Sequence, residues 1–89
     1  MDLGAPDSYL DLKVGASVYS SDGEKLGKVE QVRAAIDLDI FDGIVIDRGH
    51  RHGGHRYVEA ARVHEIFERG VELTISADDA DRLPEPDAD

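Results

Sequence analysis

Between Val14 and Val32 the chain reads VGASVYSSDGEKLGKVEQV, and the Asp22-Gly23 pair at its middle leaves few folds open. An Asp-Gly step between segments of alternating polarity is a strong hairpin signal, because glycine takes φ > 0 without steric cost. Val14, Ala16 and Val18 alternate with Gly15, Ser17 and Tyr19, which predicts a half-buried strand beginning at Val14. The returning strand is predicted from Leu26 to Ile36. Its apolar residues Leu26, Val29 and Val32 recur at every third position, a spacing that suits a helix as well as a strand. Gly27 argues against a helix, and a bulge or close-packing point there would restore strand register.

Downstream, IDLDIFD at 36–42 reads as a polar turn or strand end, leading into the β-branched run Gly43-Ile44-Val45-Ile46-Asp47, the most strand-like segment of the chain. The glycine-punctuated stretch from Arg48 to His55 precludes regular structure, and Tyr57-Val58-Glu59 resumes a strand. Residues 59–69 admit two readings. One is an amphipathic helix stopped by Gly70; the other is a tight turn at Ala60-Ala61 followed by a strand from Val63 to Phe67. Val71, Leu73 and Ile75 alternate with polar residues as a last strand. Ser76 followed by Asp78 and Asp79 predicts an N-cap and a short helix near Ala77 to Arg82, ended by Pro84.

Strand–turn–strand units at this spacing, with little helix, predict an all-β fold: a small, partly open antiparallel barrel of about six strands with a short C-terminal helix. Residues 1–10 read as a disordered or extended leader, 11–82 as the one domain, and 83–89 as an acidic disordered tail. A body of about 70 residues is near the size at which a single core is only marginally sufficient, and dimerisation would bury more surface.

The formal net charge of −10, from 20 acidic and 10 basic residues, repels phosphates, so direct nucleic-acid binding and anionic membrane surfaces are disfavoured. The chain has no cysteine, hence no disulfide framework and no thiolate metal site. No apolar run approaches transmembrane length and the N-terminus lacks a signal-peptide pattern, which predicts a cytoplasmic protein without membrane insertion.

In order, VGASVYSSDGEKLGKVEQV, DGIVIDRG, RYVEAARVHEI and GVELTIS resemble the PRC-barrel family. That family is named for the barrel of photosynthetic reaction-centre H subunits and includes the C-terminal half of a bacterial ribosome-maturation factor. The features that match are Gly15, the Asp22-Gly23 turn, Gly27-Lys28-Val29, the Ile44-Val45-Ile46 strand and the Tyr57-Val58 pair, across about Leu12 to Ser76. Where the family often has a proline and a bulky residue after the Tyr-Val pair, this chain has Glu59-Ala60-Ala61. The resemblance implies a non-enzymatic adaptor that binds another protein or assembles with itself, a homodimer first, and it carries no catalytic residues and no cofactor.

Four groups of residues carry side chains of chemical interest. His50, His52 and His55 share one loop, and neutral imidazoles bind zinc or nickel, with Asp47 or Glu59 as an oxygen donor. This makes a metal-binding domain the alternative function. The plainer reading is a solvated loop, since its glycines make ordering costly and Arg48, Arg51 and Arg56 repel cations. Asp37, Asp39 and Asp42 miss the spacing of a helix–loop–helix calcium loop, whose twelfth position here is Arg48. His64 beside Glu65 or Glu68 is the one pairing with acid–base potential, but no nucleophile elbow or phosphate loop accompanies it. Among the aromatic residues, Phe41 and Phe67 read as core, and Tyr19 as an exposed anchor on a protein interface.

Overall fold

A computed structural model describes residues 3–86. Six strands form one sheet: β1 (Ser17–Tyr19), β2 (Lys25–Ala35), β3 (Ile40–Asp47), β4 (His55–Glu59), β5 (Val63–Phe67) and β6 (Gly70–Leu73), with one helix, α1 (Ala77–Ala80). Their order across the sheet is β4-β3-β2-β1-β6-β5. The fold is the small, partly open all-β architecture expected.

The sheet is mixed rather than wholly antiparallel, because β1 and β6 run parallel. The cause lies between β4 and β5. A single 3-10 turn, Ala60–Arg62, carries the chain from one outer strand to the other without reversing its direction. Three residues span at most about 10 Å, so the two ends of a six-stranded sheet are held close together and the sheet has to curl. Residues 59–69 are therefore turn plus strand, the second of the two readings. The curl closes Val18, Leu26, Val29, Ile44, Ile46, Val58, Val71 and Leu73 into one core, which Ile75, Ala80 and Leu83 cover from the C-terminal side.

Two irregularities explain the three-residue spacing on β2. Val18 lies opposite Gly27 and Tyr19 opposite Lys25, so Leu26 is extra in the pairing with β1. Val29 lies opposite Ile46 and Gln31 opposite Val45, so Glu30 is extra in the pairing with β3. Each extra residue resets the alternation of faces. Leu26 and Val29 are consequently both buried, while Glu30 and Gln31 are both exposed.

Gly27 is a close-packing point. A Cβ there would overlap the backbone carbonyl oxygen of Asp47 and lie 2.9 Å from its carbonyl carbon. The Ser20–Glu24 turn is closed by Ser20 N–H to Glu24 O at 2.8 Å, with Gly23 at φ +86°. Inside it the buried Ser20 hydroxyl donates to the Asp22 carboxylate and accepts from Glu24 N–H at 3.0 Å.

β1 is shorter than the alternation predicted. Ladder bonds do continue outward, Gly15 N–H to Val29 O and Val29 N–H to Ala16 O. At φ +94°, however, Gly15 leaves extended geometry, and Val14 is exposed. The termini are more engaged than their composition suggests. Leu3, Ala5 and Asp7 bond to Arg69, Glu68 and Ile66, so the leader runs along the free edge of β5. Leu83 is buried and Pro84 O accepts from Tyr57 N–H at 2.8 Å, which places both in the packed body rather than the tail. Of the predicted tail, residues 87–89 lie outside the described residues. In α1, Ser76 Oγ accepts from Asp79 N–H as the expected cap.

Two substitutions test this account of the core. Gly27→Ala forces backbone apart and is expected to cost about 3 kcal/mol in urea unfolding. Ser20→Ala strands the Glu24 N–H and is expected to cost about 1–2 kcal/mol.

Candidate functional site

The surface carries two features of chemical interest, on the β2–β3 hairpin and at its base. At its far end, β2 and β3 are joined by a 3-10 turn, Ile36–Leu38, with Asp39 in the left-handed region at φ 53°. Asp39 is the one non-glycine residue with positive φ among the described residues. Aspartate tolerates that conformation, and it brings the carboxylate to Tyr9, whose hydroxyl donates to Asp39 Oδ1 at 2.7 Å. That bond favours the neutral phenol and raises the Tyr9 pKa. The Tyr9 ring stacks on Phe41, with centroids 5.2 Å apart and planes 16° from parallel.

Tyr9 lies in a 3-10 turn, Tyr9–Asp11, whose N-cap is the Ser8 side chain. This turn sets Leu10 beside the hairpin end. Ile36 is 71%, Leu38 66%, Leu10 56% and Ile40 46% exposed, far more than large aliphatic side chains in a packed position. Leu10 and Ile36 also line a shallow cavity of about 220 Å³ with Tyr9, Leu12, Val32 and Ala34. Together these residues make one exposed apolar ridge. Acids interrupt it: Asp37 and Asp39 alternate with its aliphatic residues. In the adjoining leader, the hydrogen bond between the Asp11 and Asp7 carboxyls raises the Asp11 pKa, their mutual repulsion adding to it.

The reading of 36–42 as a polar turn or strand end agrees with the turn at Ile36–Leu38 and the strand from Ile40, but it missed the ridge. The legible signal was the alternation of Ile36, Leu38 and Ile40 with aspartates, which on a strand would bury one face. Here no element among the described residues covers it. Phe41 is half-buried and packs against the margin of the core, and Phe67, also half-buried, pairs with Pro6 of the leader; neither lies within the core. Tyr19 is also half-buried, in the middle of the sheet, where its strand partners are Lys25 and Glu72.

At the base of the hairpin the three loop histidines do not converge. His50 and His52 lie on an exposed 3-10 turn, and His55 begins β4. His52 instead borders a shallow cleft with Lys25, Lys28 and Arg48. Arg48 is engaged there, donating to Leu26 O at 3.2 Å and to Asp81 at 2.8 Å. The one group of three metal-ligating side chains that comes together among the described residues is Glu30, Asp47 and His55, with donor atoms all within 4.8 Å of one another. His55 Nε2 stands 3.8 Å from Asp47 Oδ2. His64 faces Glu72 across the β5–β6 pair at 3.7 Å, not Glu65 or Glu68, and is exposed.

Addition of a partner strand to a sheet edge meets an obstacle at β5, whose edge the leader occupies. On β4, Tyr57 N–H is taken by Pro84. Strand addition needs free backbone groups, so the apolar ridge is the better-presented surface. The chain matches no protein-family model and no curated protein sequence.

Asp22 supplies a pH test of the turn that orients β1 and β2. The Ser20 hydroxyl holds the Asp22 carboxyl below its ordinary pKa; burial opposes it, and the Asp22 and Ala77 backbone N–H groups add smaller lowering effects. Stability from this source is present above the unfolded carboxylate value and is lost as pH falls through the lower folded value. Asp22→Asn should therefore lower the urea midpoint at pH 7, with the gap to the parent closing below about pH 4.

Proposed function

We propose that this chain is a non-enzymatic interaction module of the PRC-barrel type, which works by holding another protein against the apolar ridge at Leu10, Ile36, Leu38 and Ile40. The carrying observation is the exposure of those four aliphatic side chains on a surface otherwise rich in acids. Contiguous exposed apolar surface rimmed by polar groups is characteristic of association sites. The ordered resemblance to PRC-barrels supports the adaptor reading.

Charge selects the partner. Two copies meeting at this ridge would bring Asp37 and Asp39 of each together, in a chain of net charge −10. Like charges across an interface suppress association, and opposite ones steer it. The occupant that fits is therefore an amphipathic segment of a different protein, with an apolar stripe flanked by Lys or Arg, rather than a second copy. Such a segment places its aliphatic residues on the ridge and its cations against Asp37 and Asp39.

The test uses a short labelled helix of leucine and lysine and the double variant Ile36→Ser with Leu38→Ser. Both positions are exposed, so the variant should keep the parent's stability to within about 0.5 kcal/mol. The parent is expected to bind in the micromolar range, about tenfold or more tighter than the variant, and to weaken with added salt. Equal binding by both proteins, or none by either, overturns the ridge as a docking site. A dimer seen by sedimentation and abolished in the variant replaces the foreign partner with a second copy.

A further inference from the structure

We propose that Glu30, Asp47 and His55 form a binding site for one divalent first-row transition-metal ion, zinc foremost. The three residues come from three neighbouring strands, β2, β3 and β4, so the sheet rather than a loop sets their spacing. Asp47 and His55 are direct cross-strand partners, which puts both side chains on the same face. Glu30 shares that face with Lys28, two residues before it and the cross-strand partner of Asp47, and it is the extra residue of the bulge between Val29 and Gln31. Bulges of this kind re-aim a side chain and recur beside functional sites.

The donors are already oriented. Asp47 Oδ1 accepts from Gly49 N–H at 2.8 Å, which fixes the carboxylate and leaves Oδ2 toward His55. A hydrogen bond that orients a ligand from outside the coordination shell is a recurrent feature of metal sites. Donors within 4.8 Å of one another need only small side-chain rotations to reach the metal–donor distances of about 2.0–2.2 Å that zinc requires. The side chains of His55 and Asp47 are about half exposed, at 53% and 46%, so those rotations are open to them.

The donor set also selects the ion. Two carboxylates balance a divalent charge, and one imidazole nitrogen favours transition metals over calcium or magnesium, which take oxygen ligands. Three protein donors leave at least one coordination position for water or an incoming group. Lys28 is the cross-strand partner of Asp47 on its other side, so its ammonium opposes the ion and tempers affinity.

Titration calorimetry of the chelator-treated full-length chain with zinc chloride tests the assignment, with the visible absorption of bound cobalt(II) reporting geometry. One ion per chain with a micromolar Kd is expected. Glu30→Gln, Asp47→Asn and His55→Ala should each weaken binding about tenfold or more; Asn at 47 keeps an acceptor for Gly49 N–H, and circular dichroism checks that each variant remains folded. The double variant His50→Ala with His52→Ala should bind like the parent, and Lys28→Ala should bind more tightly. No saturable binding, or binding lost in the His50/His52 variant and kept in His55→Ala, overturns the proposal.

Discussion

Three residues, Ala60–Arg62, tie one outer strand of the sheet to the other, and most of the architecture depends on that short link. A flat six-stranded sheet would be far wider than three residues can bridge. The strands must therefore curl, and the curl gives a chain of this size one shared interior instead of one exposed apolar face. The parallel β1–β6 pair follows from the same link, since β4 and β5 run in the same direction.

Curling brings backbones close, and the residues at the crowded points are constrained accordingly. Gly27 lies against the Asp47 carbonyl, leaving no room for a side chain. The two extra residues on β2 add bend where a regular ladder would stay straight. One of them, Leu26, stays in the core, while the other, Glu30, goes to solvent beside Asp47 and His55. The same bulged strand thus contributes to the core and carries one member of the Glu30, Asp47 and His55 group.

The apolar ridge has the opposite origin. It lies at the far end of the long β2–β3 hairpin, where Ile36, Leu38 and Ile40 are left exposed. Tyr9 and Asp39 hold the N-terminal turn against the hairpin end, through the stack on Phe41 and the 2.7 Å hydrogen bond. The ridge is consequently supported by packing on one side and open on the other, as a docking surface requires.

Local chemistry was legible in the chain itself. The Asp22-Gly23 turn, the β-branched strand at 44–46 and the Ser76 cap depend on neighbours a few residues apart and stand where their residues predict, while the last strand, expected to run to Ile75, ends at Leu73. Whether 59–69 would be helix or strand was undecided locally, because apolar residues at Val63, Ile66 and Phe67 suit either; pairing of β5 with β6 decided it. The histidine-rich loop offered metal binding as an alternative because its residues are close in sequence, but glycine-rich backbone does not make them converge. Register between distant strands brought His55 to Asp47 and Glu30 instead. Turns, caps and the most β-branched strand are thus matters of local propensity and written in the sequence. Convergence of side chains and exposure of a surface depend on contacts between residues far apart in the chain, and only the curled sheet supplies those.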